Sequence, residues 1–205
     1  MGIKVGWESS VGVNAWYYPD GNDLLDKPEK DDPRTGLNAK QLPDRGVQTI
    51  GYAAVKTAGI RDHGQITEAD LAEVARRHLE SLAKKAAEAG IPRSRLFTHG
   101  AAWKEEELLY DAAVNKYSCP GWSFYDYAPD PRKDQGVKRA LESSDAPYWA
   151  VTEWLLFHDD QSKWTSSLKN ALSSPKCRYV CIFNWHSIIN SVTIHQAIKD
   201  VSSGL

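Results

Sequence analysis

Side chains capable of acid–base chemistry recur at the ends of segments that have the pattern of β-strands. Glu8 follows the first apolar run and Glu153 ends the run Tyr148–Glu153, while His99 and Tyr125 end two others. Two carboxyl groups facing one bond can serve as nucleophile, acid and base, and His and Tyr side chains can supply hydrogen bonds. The sequence therefore predicts that side chains with catalytic potential meet wherever these strand ends come together.

Aromatic residues are abundant, with eight Trp and nine Tyr in 205 residues. Most fall at predicted strand ends or in the loops just after them. Flat aromatic faces in loops are good platforms for sugar rings, and aromatic side chains are equally common as core filler. The candidates for a binding role are Trp7, Trp16, Tyr17, Trp103 and Trp185.

Strand-like and helix-like segments alternate along the second half of the chain. The predicted strands begin at residues 95, 122, 148 and 178, so they are 26 to 30 residues apart. Such spacing predicts parallel strand–helix–strand units. The predicted helices between and after these strands are Lys104–Lys116, Gln135–Glu142, Ser162–Leu172 and Thr193–Val201.

The first half combines one short strand, one long loop and one long helix. Ile3–Trp7 is the strand, and a loop over 9–65, rich in Gly, Pro, Asp and Asn, follows it. A loop of this length is usually functional or carries structure of its own, and a short helix is expected within Arg45–Thr57. Thr67 to Asp70 is typical of a helix start, with a buried face that includes His78. We expect a single domain over 1–205.

Two architectures satisfy parallel strand–helix units: a closed barrel and an open wound sheet. In a barrel, the polar residues at all strand ends converge on one mouth, which favours the barrel here. An open sheet would bind its ligand at a crevice, commonly beside a glycine-rich phosphate loop, and neither Gly-x-Gly-x-x-Gly nor a P-loop pattern occurs.

Composition narrows the possible partners. The net charge is −2 and no run of five like charges occurs, so binding to nucleic acid or to an anionic membrane is not indicated. No apolar run is long enough to span a membrane. The N-terminus lacks a signal-peptide pattern, which makes the cytoplasm the default expectation.

Three cysteines, at 119, 177 and 181, indicate reduced thiols. No metal or cofactor is expected, and His158-Asp159-Asp160 is interpreted as a helix start.

The predicted strands resemble, in order, the last five strands of the clan A glycoside hydrolases, which are (β/α)8 TIM barrels. Tyr148–Trp154 resembles the seventh strand, which ends in the nucleophilic Glu, and Val180–His186 resembles the eighth. Trp122–Tyr125 and Leu96–His99 fall where the sixth and fifth strands belong. Val5–Glu8 falls where the fourth strand presents the acid/base Glu.

The chain departs from this family in two ways. Trp7 stands where the family usually has the Asn that precedes the acid/base Glu. Counterparts of strands one to three are absent. The expected fold is therefore α/β, a partial (β/α)8 barrel lacking the first three strands. Self-association or a separate N-terminal half-barrel would complete it.

The resemblance implies retaining cleavage of a glycosidic bond, with Glu153 as nucleophile and Glu8 as acid/base. Tyr125 would hold the nucleophile and Trp185 would stack on the sugar. The remaining candidate sugar contacts are Trp7, Trp16, Tyr17, His99, Trp103, Asn184 and His186.

The implied partner is a carbohydrate. The alternative is a catalytically inactive carbohydrate-binding protein, or a barrel fragment that needs a partner chain. Other barrel enzymes are less well supported, because no predicted strand ends in Lys and neither His-x-His nor Gly-x-Ser-x-Gly occurs.

Overall fold

The computed structural model describes residues 2–9, 16–17, 48–61, 67–100, 109–126 and 130–204. The chain divides into two compact units. One combines Met1–Ser9 with Arg76–Leu205, and the other is Ser10–Ala75. The expected single domain over 1–205 stays a prediction.

The first unit contains a five-stranded sheet in which every described pairing is parallel. Its strands are β1 (Ile3–Ser9), β4 (Leu96–Gly100), β5 (Cys119–Tyr125), β6 (Trp149–Leu155) and β7 (Cys177–Ile182). The strand order is β1-β4-β5-β6-β7, so each new strand is added to the same side of the one before. The predicted mixed α/β fold of parallel strand–helix repeats is confirmed at this level.

Helices alternate with these strands and follow the last one. They are α3 (Leu109–Ala112), α4 (Gln135–Glu142), α5 (Gln161–Leu172), α6 (Trp185–Ile188) and α7 (Val192–Ser202). Side-chain caps begin several of them: Asp134 accepts from the Val137 N–H, Asp160 from the Lys163 N–H and Ser191 from the Ile194 N–H. The interpretation of Asp160 as a helix start is therefore confirmed.

One hydrophobic cluster joins these helices to a single face of the sheet. Trp122, Val151 and Trp154 from the strands share it with Trp164 of α5 and Ile194 of α7. The unreversed strand order explains this arrangement, because right-handed crossovers that always advance in one direction leave their helices on one face. The opposite face of the sheet is therefore not covered by these helices.

That opposite face is concave. The rings of Phe97 in β4 and Tyr179 in β7 lie 4.9 Å apart, in an edge-to-face arrangement. Three strand spacings separate β4 from β7, which is about 14 Å in a flat sheet. The rings of Trp7 in β1 and Phe183, just after β7, lie 6.4 Å apart across four spacings. The sheet is thus curled until side chains of its first and last strands meet.

The second unit contains a short antiparallel pair and a helix. The strands are β2 (Trp16–Tyr17) and β3 (Gln48–Thr49), and α1 (Ile50–Thr57) follows directly within the segment expected to hold a helix. The longest helix, α2 (Glu68–Glu88), crosses the boundary between the units.

The start of α2 has the reciprocal cap expected from its sequence. The Asp70 N–H donates to the Thr67 hydroxyl oxygen, and the Thr67 N–H donates back to the Asp70 carboxylate. Asp70 also accepts from Arg61 at 2.9 Å, and this guanidinium is the main reason that the pKa of Asp70 is lowered to about 2.

Three sequence expectations need correction. His78 is exposed and Leu79 is buried in its place, because the buried face of α2 is rotated by one residue. Of the helix expected over Lys104–Lys116, residues 104–108 lie outside the described residues, and the described part ends at Ala112. Three residues later Asn115 accepts from two backbone N–H groups and closes a turn. Strand β5 begins at Cys119 rather than Trp122, although Pro120 and Gly121 discourage strand formation.

None of the helices in the described ranges combines the length and apolar character that a bilayer-spanning segment needs.

The Trp154–Trp164 contact between β6 and α5 predicts a large stability effect. The two buried rings meet edge to face at 4.9 Å, and the Trp164 Nε1–H donates to the His158 carbonyl at 2.7 Å. We expect Trp164→Ala to lower the free energy of unfolding in urea by about 3–5 kcal/mol. Trp185→Ala is the matched control and should cost much less, because Trp185 is 46% exposed. Equal losses of unfolding free energy in the two variants would contradict this account of the core.

Candidate active site

Glu153 is the most deeply buried carboxyl group of the concave face. It lies in β6 with only 1% of its surface exposed. The hydroxyl of Tyr125, at the end of β5, donates a hydrogen bond to its Oε1 atom. A buried carboxylate is costly unless it is hydrogen-bonded, so this contact both stabilises and orients the group. Buried ionisable groups of this kind are concentrated at functional sites.

A bulge in β6 precedes Glu153. Trp122 of β5 pairs with Val151, and the next residue of β5, Ser123, pairs with Glu153. Thr152 is therefore an extra residue without its own partner in β5. Such a bulge locally twists a strand and can change where the following side chains point.

The bulge decides which face of the sheet Glu153 occupies. Val151 belongs to the cluster beneath the helices, and strict alternation would place Glu153 there as well. Instead Trp154 belongs to that cluster, while Glu153 contacts Tyr125 on the concave face. The extra residue has thus exchanged the two faces for the remainder of the strand, as a one-residue slip in register must do.

Gly121 leaves the space that the bulge requires. A Cβ atom at this position would lie 2.3 Å from Cγ2 of Thr152 and 3.1 Å from the carbonyl oxygens of Ala150 and Thr98. No side-chain carbon tolerates the first of these distances. A glycine at position 121 therefore lets Thr152 and Glu153 lie side by side on the concave face.

His99 and Ser123 form a second polar pair on this face. The His99 Nε2 atom and the Ser123 Oγ atom are 2.6 Å apart, and both residues are fully buried. Within the described ranges the other ring nitrogen, Nδ1, has no hydrogen-bond partner. Lys4 of β1 also reaches across the concave face, where its Nζ donates to the Thr152 carbonyl at 3.4 Å.

The surroundings of His99 keep its ring neutral. Burial lowers the pKa of His99 to about 3, and the positive charge of Lys4 acts in the same direction. A neutral imidazole can donate from one nitrogen and accept at the other. His99 is therefore suited to hydrogen bonding with a neutral polar ligand near pH 7.

The strand that carries Glu8 also has an irregular register, between Val5 and Ser9. Val5 pairs with Thr98 and Ser9 pairs with Gly100, so four steps along β1 match two along β4. Gly6 has a φ of +79°, which glycine adopts without steric cost. The backbone of Glu8 lies one residue before the end of β1, towards the same edge of the parallel sheet as Glu153, and its side chain lies outside the described part of the structure.

Exposed aromatic rings surround this carboxyl edge of the sheet. Trp7 and Phe157 are each 69% exposed. Phe157 stacks parallel to Tyr125 with centroids 6.0 Å apart, and Trp185 stacks on His195 at 5.3 Å. Large exposed apolar rings near a polar site are a common feature of ligand-binding surfaces.

A residue in the left-handed backbone conformation changes the direction of the chain after β7. Asn184 has φ and ψ of +57° and +46°, a conformation in which Asn is enriched among non-glycine residues. Its carbonyl accepts from both the N–H and the hydroxyl of Ser187, at 2.8 and 2.7 Å. The turn starts α6 and leaves Trp185 and His186 exposed at the edge of the sheet.

The predicted site residues thus fall into three groups. Tyr125 and Glu153 are in contact, and His99 faces the same concave surface. Trp7, Asn184, Trp185 and His186 lie at the carboxyl edge of the sheet. Trp103 lies outside the described residues, as do the side chains of Glu8, Trp16 and Tyr17. The backbone of Trp16 and Tyr17 forms β2 of the second unit.

Sequence reasoning missed Ser123, Thr152, Lys4 and Phe157. Ser123 is two residues before Tyr125 in β5, so strand alternation could have placed it on the same face. No local signal distinguishes Thr152 and Lys4, whose roles depend on the bulge and the curl. Phe157 resembles any exposed aromatic residue of a loop.

Among the described residues, no three His, Cys, Asp or Glu side chains are grouped so that they could hold a metal ion. In the loop after β6, the Asp159 carboxylate accepts from the Ser191 hydroxyl at 2.7 Å.

Comparison of the chain with protein-family models, with curated proteins and with solved structures found no match.

The contact between Gly121 and Thr152 generates a prediction about coupling. Gly121→Ala should lower the free energy of unfolding by about 1–3 kcal/mol, because the added methyl group overlaps Cγ2 of Thr152. Thr152→Ser removes that carbon and keeps the hydroxyl group. The double variant should therefore recover part of the lost free energy of unfolding. Urea unfolding of the wild type, both single variants and the double variant measures this recovery. Strictly additive losses would contradict a direct clash.

The pKa of His99 predicts a pH dependence. Because the pKa is about 3 in the folded state and about 6.5 when unfolded, the unfolded state binds the extra proton between these values. His99 therefore lowers stability as the pH falls through this window, by at most about 1.4 kcal/mol per pH unit. In urea unfolding, His99→Gln should remove this part of the dependence.

His186→Gln is the control for this experiment, because the His186 ring is exposed and meets water in both states. Its stability should follow the wild-type pH curve. A His99→Gln curve parallel to the wild type would rule out the buried neutral ring.

Proposed function

We propose that this chain is a glycoside hydrolase-like protein that cleaves a glycosidic bond by a retaining, two-carboxylate mechanism. The observation that carries the proposal is the buried Glu153 carboxylate, held by the Tyr125 hydroxyl on the concave face of a curled parallel sheet. The same edge of the sheet carries exposed aromatic rings suited to sugar faces.

The fold supports a more specific architecture. We take the five strands to be consecutive strands of a (β/α)8-type barrel, corresponding to the fourth through the eighth. Their order does not reverse, their helices pack on one face, and the sheet curls until its two ends touch. Strands of such a barrel direct their carboxyl ends to one mouth, where catalytic residues are found.

In the proposed reaction, Glu153 is the nucleophile and Glu8 is the acid/base. Glu8 donates a proton to the glycosidic oxygen as a Glu153 oxygen forms a bond to the anomeric carbon and the leaving group departs. Glu8, now a carboxylate, takes a proton from water, which attacks the anomeric carbon and releases Glu153. This reaction requires carboxyl groups about 5–5.5 Å apart.

The neighbouring side chains have distinct proposed roles. Tyr125 orients the nucleophile through its hydrogen bond to Oε1. The ring of His99 is neutral, fully buried and tied to Ser123 through Nε2, so its proposed contact with a sugar hydroxyl requires the ligand to reach the buried Nδ1 atom. Trp185 supplies an exposed ring for stacking, and Asn184 and His186 lie beside it as hydroxyl ligands.

A second candidate function is carbohydrate binding without turnover. The observation that favours it is the exposure of Trp7 and Phe157, each at 69%, which provides aromatic binding surface that does not depend on the carboxylates. The two functions differ in whether saturable sugar binding is accompanied by hydrolysis.

Replacement of the nucleophile tests the proposed function. In assays with nitrophenyl α- and β-glycosides, Glu153→Gln should lower kcat/KM of the active substrate by about 10³-fold or more. Glu142→Gln is the matched control, since Glu142 is an exposed residue of α4, and it should retain activity. If the Glu153→Gln variant turned over substrate as fast as the wild type, Glu153 would not be the nucleophile.

Covalent trapping gives an independent measurement. A 2-deoxy-2-fluoro glycoside of the preferred sugar should add its glycosyl mass to the peptide that contains Glu153, because fluorine slows hydrolysis of the intermediate. Saturable sugar binding with no hydrolysis of any glycoside tested would favour the binding function instead.

A further inference from the structure

We propose that the cavity at the amino-terminal edge of the five-stranded sheet binds a small organic molecule that carries an oxyanion on an aromatic ring. This cavity has a volume of about 430 Å³. That volume is within the range of small-molecule sites. Arg95 and Arg178 contribute its positive charge, and Phe97, Tyr148 and Tyr179 contribute aromatic surface.

The cavity is separate from the candidate active site. Arg95 directly precedes β4, Tyr148 directly precedes β6, and Arg178 is the second residue of β7. Because the strands are parallel, these positions share the edge opposite to the one that carries Glu153 and Tyr125. The proposal therefore does not depend on glycoside hydrolysis.

The two arginines differ from most others in the described part of the chain. Five arginines there form salt bridges with carboxylates: Arg61, Arg76, Arg93, Arg132 and Arg139. Within the same ranges neither Arg95 nor Arg178 has a carboxylate within 4.0 Å. Among the residues that the structure describes, no Asp or Glu lines the cavity. Two guanidinium groups without a carboxylate nearby favour an anionic ligand.

One guanidinium is already positioned by packing. The Arg178 guanidinium carbon lies 5.0 Å from the centre of the Tyr148 ring, in a cation–π contact. The edge of a guanidinium group can form a bidentate hydrogen bond to a carboxylate or phosphate. Less side-chain freedom is then lost on binding.

The floor of the cavity is aromatic and uncharged. Phe97 and Tyr179 meet edge to face, and burial raises the pKa of Tyr179 well above its usual value, so its phenol remains neutral. A Cβ atom at Gly2 would lie 3.2 Å from Phe97 and 3.3 Å from Tyr179. The absence of a side chain at position 2 thus leaves the half-buried Tyr179 ring partly accessible beside the buried ring of Phe97. A ligand ring can pack on this floor while its oxyanion meets the arginines.

The probe is phenyl phosphate. Inorganic phosphate and phenol are titrated separately, because each represents one half of the probe. Titration of the full chain by calorimetry should give saturable binding of phenyl phosphate that is about tenfold or more tighter than that of either half. Arg178→Gln and Arg95→Gln should each weaken it by about tenfold or more. Arg132→Gln, which removes an exposed arginine already paired with Asp130, is the matched control and should bind as the wild type does.

Two results would overturn the proposal. One is the absence of saturable phenyl phosphate binding up to about 10 mM. The other is binding that survives both substitutions, which would place the ligand elsewhere. Glu153→Gln should bind phenyl phosphate unchanged, so loss of hydrolytic activity does not affect this test.

Discussion

The position of Glu153 on the concave face depends on one inserted residue in β6. Thr152 has no partner of its own in β5, and the strand therefore exchanges its two faces immediately before the carboxylate. Val151 and Trp154 can both pack beneath the helices only because this exchange occurs between them. The same event places Glu153 within reach of the Tyr125 hydroxyl. A strand without the bulge would place the carboxylate in the apolar layer beneath the helices, where burial of a charged group is costly.

The curl of the sheet positions the other residues of the site. Parallel strands added in a single direction leave their helices on one side, and the sheet bends away from that layer. Bending brings Lys4 from the first strand over β6 and brings the ring of Trp7 to that of Phe183. The lowered pKa of His99 follows from this enclosure, since burial is its main cause and the charge of Lys4 adds to it.

The two edges of the curled sheet have opposite chemistry. The carboxyl edge combines Glu153 with aromatic rings, whereas the amino edge combines Arg95 and Arg178 with a neutral aromatic floor. Glycines permit close packing within the sheet: Gly121 leaves room for Thr152, and Gly2 leaves room for the rings of Phe97 and Tyr179. The residue type at each of these positions is limited by side chains of other strands rather than by the segment that carries the glycine.

Periodicity and spacing in the sequence were enough to predict the parallel strand–helix repeats, the cap at Thr67 and Asp70, and the strands that carry His99, Tyr125 and Glu153. These features are local, because they depend on alternation, capping residues and chain length. The end of β6 was not predicted, because this strand continues past Glu153 to Leu155. Only the tertiary structure decided that Glu153 faces Tyr125, that Ser123 contacts His99, and that two arginines without a carboxylate partner among the described residues share a cavity. Each of these depends on register between strands or on the curl of the whole sheet. Both arise from packing among residues far apart in the chain, which no local pattern encodes.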